Sequence, residues 1–261
     1  MENKVDVTAF NRDMWNKQAE SGNKWTIPVN EQEISAARGG KLSLFLTPVK
    51  YVPADWFPPL KDLKVLALAS GGGQQVPLFA AAGADVTSFD NSDAQLQRDI
   101  QTAEKYGLKV TAVQGDMKDL SSLERESFDF IFNPCSTCFT DDVRTVWQEC
   151  SKVLKRGGTL LTGFFNPVAL LFGDQEYEDV SDMKLLYKQP YSDLTSISEE
   201  LRQKLMAANE PLVFGHSLSD QIGGLTGAGF AVTGFYEDNW GDVKKIDEYF
   251  PSFIALRAVK L

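Results

Sequence analysis

Three groups of residues in this chain have types and spacings suited to chemistry. The first is Ala69-Ser70-Gly71-Gly72-Gly73, directly behind the apolar run Val65–Leu68. Glycine lets main chain approach a ligand closely, and a helix starting just after it offers unpaired N–H groups and a positive dipole end. The second group is a pair of carboxylates. Asp90 ends the next apolar segment and can accept hydrogen bonds from two ribose hydroxyls. Asp116, in "QGDM", can accept from an adenine amino group while Met117 packs on the ring. The third group is looser: the C-x-x-C pair Cys135 and Cys138, the only histidine, His216, and Arg38 in "ARGG".

Each has a plain structural reading beside the chemical one. A structural zinc needs four ligands, and no second cysteine pair or suitably spaced histidine accompanies Cys135 and Cys138, so no metal is expected. Cys150 falls on a helical apolar stripe and reads as core. His216 is a candidate general base, but a lone histidine also serves as a loop residue with a satisfied hydrogen bond. Arg38 can meet a cofactor carboxylate bidentately or stay on the surface. Trp15, Trp25 and Trp56 read as packing or as walls of an apolar acceptor pocket.

These residues need elements to hold them. "KVLALA" from Lys64 is a continuous apolar run, the pattern of a strand buried on both faces. A helix is predicted from about Gln74 to Gly83, then a strand over Asp85–Asp90. Ser92 with Gln95 forms a capping-box pair and opens a helix that stops at Gly107. Strands follow at Lys109–Gln114 and Phe128–Phe132. Val143, Val146, Trp147, Cys150, Val153 and Leu154 make one apolar stripe, capped by Asp141 or Asp142 and ended by Gly157–Gly158. A fifth strand covers Thr159–Phe165. Such alternation calls for a parallel, doubly wound α/β sheet. It lapses over residues 167–212, a mostly polar insertion with one helical segment, expected to be a lid over the ligand crevice. Ser217 and Asp220 open a last helix before two final strands. Residues 1–62, in which "AFNRDMWNKQAE" can form a short helix, read as an irregular N-terminal cap on a domain spanning 63–261.

With 261 residues, 43% of them hydrophobic, the chain suits a single domain with elaborations. A net charge of −10 without a basic cluster disfavours nucleic acid and anionic membranes. The N-terminus lacks the basic start and apolar core of a signal peptide, and no run approaches the roughly 20 apolar residues of a membrane span. A cytoplasmic protein, monomer or homodimer, is expected.

The dinucleotide fingerprint G-x-G-x-x-G fails, because its third glycine would stand at Val76. Instead, the ordered segments "VLALASGGG", "TSFDNS", "QGDM", "FDFIFNP" and "VLKRGGTLL" resemble the class I S-adenosylmethionine-dependent methyltransferases. The resemblance covers about residues 64–165 and, more loosely, "GLTGAGFAVTGFYED". It implies a Rossmann-like sheet of seven strands, mostly parallel, with the last antiparallel. It further implies that Ala69, Ser70, Gly71 and Gly73 line the methionine side of S-adenosyl-L-methionine and that Asp90 binds the ribose. Asn91 would lie beside the adenine, Asp116 and Met117 would hold it, and Asn133 would follow the sulfonium. Two positions depart from the family pattern: Ala67 stands in place of an acidic residue and Ala69 in place of the first glycine. The function expected is methyl transfer to a small-molecule acceptor. The alternatives are a nicotinamide-dependent oxidoreductase on the same sheet and a non-catalytic cofactor-binding module.

Overall fold

A computed structural model describes residues 5–173, 180–241 and 243–261. Its central strand, β1 (Lys64–Leu68), is buried from Val65 onward. Side chains alternate across a strand, so Val65 and Ala67 enter one apolar core while Leu66 and Leu68 enter another on the opposite face. This two-sided burial explains the unbroken apolar run.

The other sheet strands are β2 (Asp85–Asp90), β3 (Thr111–Gln114), β4 (Phe128–Asn133) and β5 (Leu154–Phe165). The two-residue strands β6 (Tyr191–Ser192) and β7 (Phe214–Gly215) pair with each other elsewhere, and β8 (Phe230–Asp238) and β9 (Phe253–Lys260) complete the main sheet. Its order is β3-β2-β1-β4-β5-β9-β8. β1 to β5 are parallel, and β9 runs antiparallel to both β5 and β8. This is the seven-stranded arrangement that the resemblance implies.

Helices α3 (Gln75–Ala81), α4 (Asp93–Lys105), α5 (Val143–Val153) and α7 (Leu218–Gly227) connect these strands, and α6 (Glu199–Ala207) lies in the insertion. Phe79 of α3 fills the core on the Val65 face, and Trp147 of α5 with Leu225 of α7 fills the other. Among the described residues no helix is long and apolar enough to cross a membrane.

Four boundaries or caps differ from the sequence reading. The N-terminal region is more regular than expected: α1 (Val7–Glu20), capped by Asp6, extends the short helix anticipated at "AFNRDMWNKQAE", and α2 (Glu31–Arg38), closed by an Asn30–Glu33 capping box, was not anticipated. The third strand starts at Thr111 rather than Lys109. Helix α5 stops at Val153, before Gly157–Gly158. Those glycines lie inside β5, where Leu154 already pairs with Phe128 and the register then shifts before Phe130 meets Thr159. Gly157, at φ 77°, takes the turn in that bulge. At α4 only half of the capping box forms. The Ser92 hydroxyl accepts from Gln95 N, but Ser92 N donates to Asp90 instead of to Gln95. The expected insertion at 167–212 includes residues 174–179, which lie outside the described set.

Asp99 of α4 is fully buried, a costly place for a carboxylate. Its Oδ1 accepts from Gly73 N at 2.7 Å and its Oδ2 from the Ser88 hydroxyl at 2.6 Å, tying the glycine loop, β2 and α4 together. Burial pushes its carboxyl up to about 7 against these bonds, with the Asp90 charge adding to the rise. The folded protein therefore holds a proton that the unfolded chain releases near the ordinary aspartate value, and stability from this group falls as pH rises toward about 7. Asp99→Asn keeps an acceptor for Gly73 N, reverses the second bond so that its amide donates to the Ser88 hydroxyl, and carries no such proton. Melting temperatures taken from pH 4 to pH 8 should show the variant gaining on the parent as pH rises, with the gap level above about pH 7. A constant difference across that range contradicts the assignment.

Candidate functional site

A cavity of about 640 Å³ opens at the carboxyl ends of β1, β2 and β4. Crevices at this edge are where open α/β sheets bind ligands. One wall is the chain that leaves β1. Ala69 adopts φ 48°, a left-handed conformation costly for any residue with a Cβ, which explains why glycine is the common occupant there. Its N–H donates to Phe89 O at 2.7 Å. Gly71 N donates to Asp90 Oδ2 at 3.0 Å and Ser92 N to Asp90 Oδ1 at 2.9 Å, so both carboxylate oxygens are oriented by main chain. Asp90 keeps surface open to the cavity, yet is enclosed enough for burial to push its carboxyl above the ordinary range.

The glycines serve a tighter purpose than ligand approach alone. A Cβ at Gly71 would lie 2.8 Å from Gln95 Cβ, and one at Gly72 would lie 2.7 Å from Gln95 Oε1 and 3.3 Å from Trp25 O. Their bareness lets α4 close on the loop from one side and residues 24–28 from the other. Gly73 O accepts from Val29 N, and the Gln74 amide donates to Lys24 O and Ile27 O.

Asp116, Asn91 and Met117 also line the cavity. The Thr8 hydroxyl of α1 donates to Asp116 Oδ2 at 2.7 Å, and the Asn91 amide donates to Thr8 O at 2.7 Å. The first turn of α1 thus lies against the far end of this wall. Trp15 and Trp25 are cavity walls, whereas Trp56 is buried and packs on Tyr236.

Four sequence candidates stand outside the cavity lining. Gly73 is turned away from it, its N–H donating to Asp99 and its carbonyl accepting from Val29 N. Asn133 is fully buried; its amide donates to Leu68 O and Ser136 Oγ, and its Oδ1 accepts from the Thr162 hydroxyl. It braces the ends of β1 and β5 rather than facing a ligand. Arg38 is exposed and donates to Tyr106 O. His216 Nε2 lies 3.0 Å from both Thr137 O and Thr140 O. Two carbonyl partners require that nitrogen to carry a proton, and burial holds the ring pKa below its ordinary value. This is a neutral histidine tying down a turn, not a base aimed at the cavity. The expected lid is also displaced: no described residue of 167–212 lines the cavity. The insertion packs on α1 instead, where Asn11 exchanges hydrogen bonds with Leu212.

The opposite wall is aromatic. Phe165, Trp240 and Phe253 contact one another with ring centroids 4.7–6.0 Å apart. Residues 44–52 complete it, looping back so that Val52 N bonds Leu44 O. Asp238 Oδ2 holds this loop by accepting from the Thr47 hydroxyl, Val49 N and Lys50 N. A Cβ at Gly163 of β5 would lie 2.1 Å from Leu46 O, so the loop rests directly on main chain.

Sequence reasoning missed Gln95 as a wall residue, seeing only its capping position. Gln95 and Ser70 both line the cavity, and Gln95 Oε1 and Ser70 Oγ are buried with no hydrogen-bond partner in the protein. Each such orphan costs about 1–3 kcal/mol unless a ligand supplies the bond. Together with Asp90, Asp116 and Met117 they fit a polar nucleoside with an amino-acid tail. Trp240 and Phe253 were equally hidden, since nothing in the periodicity of the last strands marks which side chains meet Phe165.

A profile described as "Methyltransferase domain" matches residues 66–162, the stretch from β1 into β5. The chain is 49% identical over 255 residues to "Uncharacterized methyltransferase YbaJ" of Bacillus subtilis, covering 98% of this chain and 99% of that one. Among solved structures it resembles an S-adenosylmethionine-dependent methyltransferase from Mesorhizobium loti, with TM-score 0.59 and 18% identity over 79% of this chain and 94% of that one. It also resembles a geranyl diphosphate C-methyltransferase from Streptomyces coelicolor A3(2), crystallised with S-adenosyl-L-homocysteine, with TM-score 0.60 and 15% identity over 98% and 99% of the two chains. The motif order, the seven-stranded sheet and the full-length relative agree, and the nicotinamide alternative gives way: the chain belongs to the class I S-adenosylmethionine-dependent methyltransferases, with S-adenosylmethionine as its cofactor.

Proposed function

We propose that the protein moves the methyl group of S-adenosylmethionine to a small, largely apolar acceptor by in-line displacement. The observation that carries this reading is one continuous cavity with a polar wall at Asp90 and Asp116 and an aromatic wall at Phe165, Trp240 and Phe253. Its volume lies within the range of small-molecule sites. In this reading Asp90 accepts from the ribose hydroxyls, Asp116 and Met117 hold the adenine with Asn91 beside them, and Ala69, Ser70, Gly71 and Gln95 face the methionine and sugar. Residues 1–62 act as the cap, with Trp15 and Trp25 excluding water from the reacting atoms.

The bound cofactor supplies an electrophilic methyl on a sulfonium, so the hard chemistry is its own. The protein's residues align the acceptor atom with the methyl carbon and keep competing water out. The described titratable side chains on the cavity wall are Lys24, Glu33, Asp90, Asp116, Cys135 and Cys138, with no histidine or tyrosine among them. This favours an acceptor atom that attacks without help from His216.

Two measurements test the reading. Calorimetric titration with S-adenosylhomocysteine should give one site, and Asp90→Ala should weaken it at least roughly tenfold, since each charge-assisted bond lost is worth about 1.5–3 kcal/mol. Because burial raises Asp90, affinity of the parent should fall on acidification at a pH above the ordinary aspartate value of 3.8, where protonation removes an acceptor. Undiminished binding in the folded variant refutes the ribose assignment. Separately, methyl-labelled S-adenosylmethionine incubated with protein and cell extract should pass label to low-molecular-weight, organic-extractable material, and Trp240→Ala should slow that transfer while leaving calorimetric affinity within about twofold. Label entering protein or nucleic acid instead would overturn the acceptor class.

A further inference from the structure

The C-x-x-C segment is not used by the reading above. Cys135 and Cys138 are both free thiols and both line the cavity. Cys135 precedes a tight turn and Cys138 lies within it: Phe139 N donates to Ser136 O at 2.9 Å, and Thr137–Phe139 forms a single 3₁₀ turn. The ends of this turn are fixed. Cys135 N donates to Leu46 O, Ser136 Oγ is bonded by Asn133, and His216 holds the carbonyls of Thr137 and Thr140. Within that frame the two thiols stand three residues apart on one cavity wall.

Their surroundings differ in a way that sorts them into roles. Both line the cavity, but Cys135 is only part-buried while Cys138 is 3% exposed. Burial, the neighbouring Cys135 and the Asp193 charge all push the Cys138 thiol up, so it keeps its proton and is shielded from bulk reagents. Cys150 is also fully buried but lies in the α5 stripe, and burial raises its thiol too. An accessible sulfur with a second, protected sulfur beside it is the arrangement of an attacking and a resolving thiol.

We propose that Cys135 and Cys138 form a redox-active dithiol, a modification site on the cavity wall that closes to a disulfide by exchange with a low-molecular-weight disulfide. In the first step the Cys135 thiolate attacks one sulfur of the small disulfide, forming a mixed disulfide and releasing one small thiolate. In the second, Cys138 sulfur attacks Cys135 sulfur, its proton passes to the departing second thiolate, and the protein disulfide is left. Two protein thiols are oxidised and one small disulfide is reduced to two thiols. This inference stands on the wall itself and is independent of the acceptor assigned above.

The test uses the full-length protein, glutathione disulfide as probe, and intact-mass spectrometry with peptide mapping. The expected result is loss of two hydrogen masses, with the crosslink mapped to Cys135–Cys138, reversed by dithiothreitol. Cys138→Ser should accumulate the mixed disulfide at Cys135, and Cys135→Ser should react at least roughly tenfold more slowly than the parent, because its remaining thiols are buried. Circular dichroism checks that each variant is folded, and if either is not, the mapped crosslink in the parent decides alone. A parent that stays reduced, that stops at a mixed disulfide, or whose Cys135→Ser variant reacts at the parental rate overturns the proposal.

Discussion

Two buried carboxylates grip the main chain of the glycine loop, and the site depends on that grip. Asp90 takes the amides of Gly71 and Ser92, while Asp99 takes the amide of Gly73 and the hydroxyl of Ser88. Gly72 N, between them, is taken by Gln95 O. Every loop amide from Gly71 to Gly73 is thereby committed to β2 or to α4, so the loop needs no ligand to hold its shape. Bonds to charged acceptors are the stronger kind, and they offset a burial penalty visible in the raised pKa of both acids. A preformed loop is what allows Asp90 to present its remaining lone pairs to the cavity in a fixed direction.

Much of this arrangement was legible in the sequence, for identifiable reasons. A strand buried on both faces gives an unbroken apolar run, so β1 appeared at nearly its observed bounds, and the strand–helix alternation placed β2 and β4. The stripe of α5 gave the helix and its register, and Asp142 does cap it. Its end was misjudged because glycine is a good helix terminator and an equally good bulge residue, and local sequence does not distinguish the two. Asp99 was invisible for a related reason: in "QLQRDIQTAEK" it reads as one more polar helix residue, and only the tertiary placement of α4 turns it inward. The candidate site divides the same way. Asp90, Asp116, Met117 and the loop line the cavity because they follow strands directly, and a strand end fixes where the next residue points. His216 and Arg38 lie off the cavity because their positions depend on how separate elements pack; Asn133 ends β4 but turns into the sheet, and Gly73 is drawn onto Asp99 and Val29.

The N-terminal region changes the picture most. Read as an irregular cap, it forms two helices and supplies much of the cavity wall. Helix α1 bridges two distant parts of the chain through adjacent turns: Thr8 meets Asp116 and Asn91, and Asn11 meets Leu212 and Phe139. The insertion that was expected to cover the crevice therefore supports the helix that does so.

The loop at residues 44–52 rests on the sheet in a particular manner. Its anchor is main chain against the bare backbone of Gly163, with main-chain amides and the Thr47 hydroxyl held by Asp238. The side chains of Phe45 and Pro48 carry little of that anchoring, yet they form cavity surface. Wall shape and wall support are thus handled by different atoms. Exchange of those two side chains over evolutionary time would remould the pocket for a new guest while the scaffold beneath stays as it is.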